Sequence, residues 1–402
     1  MTIPIFITGS GIVSSIGVGK EETLSSLRSG KSGIRRMKYL SSCHKDIPVG
    51  EVQLSNSEMI QRLSIKDSPL LTRTALIGML ALEEALAEAK ISANDMPQCH
   101  LISSTTVGGM DRRELSLEDE QSCDKTHAMI ATHSCGTCTE MIARQFGDFA
   151  SLSTVSTACS SATNAIIVGA NMIRCGIAEC VVVGGSECLS LFHLNGFNTL
   201  MILDREQCKP FDKNRAGLNL GEGAAYVVLE TEDSMKRRGV KPLCQIKGYG
   251  NACDAFHQTA SSPDGEGAYL AMKEALAMAN ISPNDIDYIN AHGTGTPNND
   301  ESESQAIKRI FGDSIPPVSS TKSFTGHTTS ASGSIELVIC MLAMTHRFIP
   351  ENLNWKEPME NGIIPAINKC GSKSVGELIN IQSNAFGFGG NDSSLIISKY
   401  EC

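Results

Sequence analysis

Short apolar runs alternate with helix-patterned stretches along the whole chain, and the same order of elements occurs twice. In the first half IPIFIT near residue 5, HLISSTT near residue 102, LSTVSTA, ECVVVGG and AAYVVLE read as strands. Helical patterns lie between them at about 69–88, 131–145 and 160–174. LLTRTALIGMLALEEALAEA is the clearest helix, with apolar residues at three-to-four spacing among strong helix formers. The second half reads CQIKGYG, DIDYINAH, PPVSS, INIQSN and SSLIISKY as strands. GAYLAMKEALAMA, ESESQAIKRIFG and SASGSIELVICMLAMTH are its helices. The echo is one of element order, with no residue-level repeat. Such alternation predicts an α/β fold with largely parallel sheets covered by helices, and two such halves packed together make a layered sandwich. With 402 residues the chain is long enough for two or three compact units. The seam is expected near Lys236–Pro242, dividing 1–240 from 241–402.

The charge balance narrows the function classes. There are 34 basic and 44 acidic residues, a net charge of −10, which argues against a nucleic-acid protein while leaving room for a local basic patch. No apolar run approaches the ~20 residues that span a bilayer. The N-terminal MTIPIFITGSGIVSSIG lacks a basic segment and reads as a strand and turn, so no membrane insertion and a cytoplasmic location are expected. Fifteen Cys then read as reduced, mostly buried small hydrophobes. The stretch at about 110–130, MDRRELSLEDEQSCDKTHAM, looks like an exposed charged insertion.

Several motifs carry chemistry with differing force. Gly9 and Gly11 after the first strand approach a dinucleotide fingerprint, but Ser14 stands where the third Gly belongs and no acidic residue closes a second strand; a tight structural turn is expected. Cys135-Gly-Thr-Cys138 has CxxC spacing with His133 nearby, yet no second ligand pair accompanies it, so chance spacing is expected. STVSTACSSATNAIIVGANMI is more telling. A strand runs into Cys159 and a helix of small residues starts just after it, where the helix dipole and free N–H groups favour a thiolate. A buried structural Cys remains open on this segment alone. His292 ends a strand in NAHGTGTP, and His327 precedes a helix in STKSFTGHTTSASGS, with Lys322 five residues earlier. Cys159 and His327 open corresponding helices of the two halves, so a pseudo-twofold relation would bring them face to face. NAFGFGGND forms a Gly-rich loop whose N–H groups, with that of Cys159, would suit an oxyanion hole.

Taken together, the TACSS elbow, HGTGTP, KSFTGH, FGFGG and PFDKNRAGLNLGEGAAYVVLE resemble the β-ketoacyl-acyl carrier protein synthases of the thiolase superfamily, elongating type II branch. The likeness covers essentially the whole chain. It implies a five-layer αβαβα sandwich of two similar halves. It also implies decarboxylative Claisen condensation of acyl- with malonyl-carrier protein to 3-oxoacyl-carrier protein and CO2, in fatty acid elongation. By that resemblance Cys159 is the nucleophile, His292 and His327 assist malonyl decarboxylation, Lys322 organises the second His, and Glu303 supports the network. Thr294 and Thr296 contact the phosphopantetheine amides, the N–H groups of Cys159 and Phe388 make the oxyanion hole, and the Phe388 ring is a gate. Val107 and Phe197 line the acyl pocket. No metal or redox cofactor is implied, since the pantetheine arm belongs to the carrier. The partners implied are acyl carrier protein and a second copy in a homodimer, with ECVVVGG a candidate to pair across the twofold. Arg62, Lys66 and Arg73 are candidates for carrier docking.

The sequence departs from the family pattern at GHTTSASG, at Asn391-Asp392 after FGFGG, at HGTGTPNND and at Arg215-Ala216-Gly217-Leu218. None removes a catalytic group. They raise a ketosynthase of a specialised polyene or polyketide pathway as the alternative. A non-catalytic carrier-binding subunit is the rival of another class, opposed by the retained Cys159, His292 and His327.

Overall fold

The computed structural model describes residues 3–118, 129–367 and 375–400. Its strands are β1 (Ile5–Ser14), β2 (Gly17–Val18), β3 (Cys99–Ser104), β4 (Ser151–Val155), β5 (Cys180–Glu187), β6 (Gly223–Glu230), β7 (Cys244–Cys253), β8 (Tyr288–Asn290), β9 (Val318–Ser319), β10 (Asn380–Gly387) and β11 (Asn391–Ser398). Its helices are α1 (Lys20–Ser29), α2 (Asn56–Leu63), α3 (Arg73–Glu88), α4 (Met110–Glu118), α5 (Cys135–Phe146), α6 (Ser161–Arg174), α7 (Leu191–Thr199), α8 (Glu232–Arg238), α9 (Glu266–Ala279), α10 (Pro297–Phe311), α11 (Lys322–Thr325) and α12 (Ser332–His346).

The strands follow one hydrogen-bonded path, β4-β3-β5-β6-β1-β7-β11-β10-β8-β9, with β2 beside β1. The two halves of this path meet only where Ile5–Ile7 of β1 pair with Cys244–Ile246 of β7. Helices α3 and α5 cover one outer face and α9 and α10 the other. Helices α6 and α12 lie between the two half-sheets, packing on both and on each other. The result is the expected five-layer α/β sandwich.

Strand direction differs from the expectation of largely parallel sheets. Pairs β3–β4, β3–β5, β8–β9 and β8–β10 are parallel, whereas β1–β6, β5–β6, β1–β7, β7–β11 and β10–β11 are antiparallel. The β10–β11 case has a plain cause: a short Gly-rich turn joins them, and such a turn can only reverse the chain.

Gly9 and Gly11 do not form a turn either. Both lie inside β1, where α3 packs directly onto the strand backbone. A Cβ at Gly9 would fall 2.3 Å from Ala85 O, and one at Gly11 2.0 Å from Ala81 O. In the second half Gly248 and Gly250 of β7 meet Ala275 O at 2.3 Å and Ala271 O at 2.2 Å of α9. The halves therefore do share a residue-level repeat, Ile-x-Gly-x-Gly on a strand against two Ala four apart on a helix. It is too short to stand out before the contact is seen.

Two further expectations change. Strand β5, proposed to pair across a twofold, has β3 on one side and β6 on the other, so both its edges are occupied. The described strand at the end of this half-sheet is β4. Of the charged stretch near 110–130, residues 119–128 lie outside the described residues. Its first part is α4, which is tied to the fold: Asp111 accepts from Arg73 N, and Glu114 caps α7 by accepting from Leu191 N and Phe192 N. Eight of the twelve described cysteines are buried, and none of the described ones is disulfide-bonded. Among the described residues no helix is long and apolar enough to cross a membrane.

Candidate active site

The approach of α6 to α12 sets the site. Gly333 of α12 sits so close to Thr163 of α6 that a Cβ there would lie 2.0 Å from Thr163 Oγ1. Cys159 precedes α6 and His327 precedes α12, so this tight crossing carries the two residues toward each other. His327 Nε2 lies 3.0 Å from Cys159 Sγ. His292 arrives from the end of β8, its ring 5.3 Å from that of His327 and nearly perpendicular at 84°.

The turn into Cys159 is strained and braced. Ala158 has φ 52°, a left-handed conformation that costs a non-Gly residue about 1–3 kcal/mol. Ser161 Oγ accepts from Thr157 N (2.8 Å) and donates to Ala158 O (2.6 Å), while Asn164 Nδ2 donates to Thr157 Oγ1 (2.8 Å). Asn391 bonds to this elbow as well: its Oδ1 accepts from Ser160 Oγ (2.7 Å) and Asn164 Nδ2 (2.6 Å). This unusual residue after FGFGG thereby ties the Gly-rich turn to the thiol's helix. The turn presents the Phe388 N–H to Cys159 Sγ.

Each imidazole is held through its backbone and its Nδ1. Glu303 accepts from His292 N (2.8 Å) and Gly293 N (2.7 Å). His292 Nδ1 lies 3.2 Å from Lys322 Nζ, and Lys322 is ion-paired with Glu336. His327 N donates to Asn219 O (2.7 Å), Gly221 N donates to His327 O (2.9 Å), and His327 Nδ1 faces Ser332 Oγ at 3.0 Å. Lys322 therefore touches His292, not His327, the imidazole the resemblance assigned to it.

The electrostatics differ from the helix-dipole expectation at Cys159. Burial pushes its thiol up to about 11, against the opposing pull of Lys322 and the Phe388 N–H. Burial likewise drives both imidazoles well below the ordinary histidine range, helped at each by Lys322. Glu303 and Glu336 are raised to about 7 by burial, against the Gly293 and His292 N–H groups at the first and Lys322 at the second. At neutral pH the site rests as a neutral thiol beside two neutral imidazoles. Desolvation outweighs the half-charge of one helix end here because Cys159 is buried, only 5% exposed.

These groups form the floor of a cavity of about 340 Å3. Thr294, Thr296, Phe197 and Phe388 line its walls. Thr294 and Thr296 hydroxyls are 2.9 Å apart, and the Phe197 and Phe388 rings stack at 5.8 Å with 18° between planes. Val107 is not on this wall. It is buried among residues of β3 and α3, its N–H on Glu187. Arg62 and Lys66 are exposed, away from the cavity lining. Arg73 is not available for docking: it is buried, with its guanidinium on the Glu222 carboxylate and on the Val52 and Leu54 carbonyls. Cys135 and Cys138 stay unpaired, Cys138 facing Thr72.

Cys159 Sγ and one ring nitrogen of each His lie within 4.8 Å of one another, a spacing a soft cation accepts. The Lys322 ammonium beside His292 opposes a cation there. Sequence reasoning missed Glu336 and Ser332. Glu336 left a signal, as the lone acid in the apolar helix SGSIELVICMLAMTH.

Family models for "Beta-ketoacyl synthase, N-terminal domain" and "Beta-ketoacyl synthase, C-terminal domain" match residues 2–234 and 243–356. The chain is 30% identical to 3-oxoacyl-[acyl-carrier-protein] synthase 2 of Vibrio harveyi over 413 residues, 98% of each. Among solved structures it is similar to the ishigamide ketosynthase/chain length factor, with TM-score 0.90 and 29% identity over 100% of both chains. It is also similar to the ketosynthase ApeO in complex with its chain length factor ApeC from Xenorhabdus doucetiae. There the TM-score is 0.82 with 30% identity, over 99% of this chain and 98% of that one.

Proposed function

Because the chain belongs to the β-ketoacyl synthase family, we propose from its site geometry how it works as a 3-oxoacyl-[acyl-carrier-protein] synthase. The reaction is condensation of acyl- with malonyl-carrier protein, releasing CO2, in fatty acid elongation. Cys159 takes the acyl group first. As its sulfur attacks the thioester carbonyl, His327 Nε2 receives the thiol proton and passes it to the departing pantetheine thiol. That hand-over suits a neutral thiol at 3.0 Å from a neutral ring better than a standing thiolate. The carbonyl oxygen is met by the N–H groups of Phe388 and Cys159, donors worth about 3–4 kcal/mol each in such a role.

Malonyl-carrier protein follows. Its carboxylate leaves as CO2, and the enolate oxygen takes hydrogen bonds from His292 and from His327 in the tautomer that carries its proton on Nε2, Nδ1 then accepting from Ser332 Oγ. The enolate carbon attacks the Cys159 thioester, the sulfur departs as a thiolate, and it takes up one proton from solvent, the proton the decarboxylative condensation consumes. Neutral imidazoles donate without trapping the enolate as an ion pair. Lys322, Glu336 and Glu303 fix the His292 ring, while Thr294 and Thr296 hold the pantetheine arm. No step calls on a metal or redox group.

The observation that carries this reading is the contact of Cys159 Sγ with His327 Nε2, with His292 set against the same site on the cavity floor. The half 1–240 then brings the thiol and 241–402 both imidazoles. The partner is an acyl carrier protein, with Arg62 and Lys66 the remaining docking candidates, and a second copy completes a homodimer. A specialised polyene or polyketide ketosynthase is the second reading, favoured by the likeness to the ishigamide and ApeO ketosynthases. Intact-mass detection of acyl-enzyme from carrier proteins bearing acyl groups of graded length tests both. Saturated chains should load Cys159 for fatty acid elongation, and polyenoyl chains alone for the alternative. Condensation by Cys159→Ser at the parent rate would refute the reading.

A further inference from the structure

The Gly387–Gly390 turn that presents Phe388 is held by a strap, residues 254–262, leaving the end of β7. Asp254 N donates to Gly390 O and Gly389 N to Gln258 O, both at 2.8 Å. At its far end Ser261 N donates to Asn298 Oδ1 (2.8 Å), and Asn298 Nδ2 donates back to Ser261 O (3.0 Å). The strap thus spans from the turn to the first turn of α10, and Thr259, Ala260 and Ser261 line the cavity.

Two acids meet at the base of this strap. Asp254 accepts from Ser262 N (2.7 Å), Ser262 Oγ (2.6 Å) and Gly267 N (3.1 Å), so three donors serve it as an anion. Asp392 of β11 crowds the same space under the start of α9: a Cβ on Gly267 would fall 2.3 Å from Asp392 Oδ2 and 2.7 Å from Asp254 Cβ. Asp392 is 4% exposed and takes the Gly387 N–H, one residue before Phe388. The charges acting on it are acidic from both neighbouring elements, Asp254 on the strap and Glu303 on α10. α9 offers its Gly267 N–H, which Asp254 uses. Burial, then Asp254 and Glu303, push the Asp392 carboxyl up to about 8.

We propose that Asp392 works as a neutral acid beside the Asp254 carboxylate and is a positioning residue for the Phe388 turn, because ionising it sets a buried anion against the half-buried Asp254 carboxylate across the joint between strap and turn. This deepens the condensing-enzyme reading and rests on it for the meaning of the turn, but the acid pair itself does not.

Asp392→Asn keeps the shape and removes the charge. Between about pH 4 and pH 8 folded Asp392 keeps a proton that the unfolded chain has lost, so the parent should lose stability as pH rises through that window. The Asn variant should lack this decline, its thermal midpoint exceeding that of the parent at pH 8 and converging with it at pH 5. Loading of Cys159 from a short acyl-pantetheine, followed by intact mass, reads positioning. The parent-to-variant rate ratio should fall about tenfold from pH 7 to pH 9, as expected for a group titrating near 8. Asp254→Asn removes the repelling anion but leaves the burial and Glu303, so it should shrink that loss and move it to lower pH without abolishing it, and it serves if Asp392→Asn does not fold. A midpoint difference that ignores pH, or a loading ratio constant from pH 7 to 9, would overturn the proposal. Absence of loading in every protein at pH 7 would instead strike the condensing-enzyme reading, while the thermal midpoints still decide the acid pair.

Discussion

Cys159 and Lys322 show burial setting the chemistry at single residues. With its thiol raised to about 11 and no standing charge, Cys159 should gain thiolate about tenfold per pH unit below that value. Its alkylation by iodoacetamide should therefore climb by about that factor from pH 7 to 8 and again to 9. A rate already flat below pH 8 would reveal a preformed thiolate–imidazolium pair. Lys322 is 1% exposed and shares its ammonium between His292 and Glu336. Lys322→Met strands Glu336 in the core, a change that costs roughly 3–5 kcal/mol when one partner of a buried pair is lost. Lys322→Met with Glu336→Gln should recover most of the urea midpoint but not decarboxylation. A double variant no more stable than the single one would place the cost elsewhere. The sequence exposed Lys322 because it sits in a motif five residues before His327. It hid Glu336, because an acid within an apolar helix is legible only once the ammonium it neutralises is found.

Among the elements, the crossing of α6 and α12 converts fold into site. Gly333 has Thr163 Oγ1 at 2.0 Å and Thr163 N at 3.0 Å from its would-be Cβ, so any side chain pushes the helices apart. Gly333→Ala should cost about 1–3 kcal/mol, the usual range for overpacking, and slow Cys159 acylation by widening the 3.0 Å contact with His327. Adding Thr163→Ala should return part of the stability, since the hydroxyl is the nearer obstacle. Equal urea midpoints for parent and Gly333→Ala would show that the helices slide freely. Helices α3, α9 and α12 were legible because their apolar spacing is a local property. Strand direction was not, since it depends on which strand lies beside which. The pair Gly9 and Gly11 was misread for a similar reason: a glycine that lets a helix touch a strand looks, in sequence, like one that turns the chain.

At the scale of the whole molecule the described sheet ends at β4 and β9, and the five-residue β4 is the longer edge. Among the described strands it pairs with β3 on one side only, and its first three residues, Ser151, Leu152 (40% exposed) and Ser153, are exposed, with neither Lys nor Pro in the strand to guard it. A bare edge of this kind invites another strand. A second copy related by a twofold axis would pair β4 with β4 antiparallel and extend the sheet across both molecules. The strand ends at Val155, four residues before Cys159, so the same contact would steady the elbow. Sedimentation of the parent should give about twice the 42.9 kDa chain mass, whereas Leu152→Asp, placing a charge opposite its own copy, should sediment as a monomer and load acyl groups more slowly. A parent that is monomeric alone and doubles only with a related subunit would make the molecule a heterodimer built on the same edge. A Leu152→Asp variant that stays dimeric would move the interface off β4 altogether.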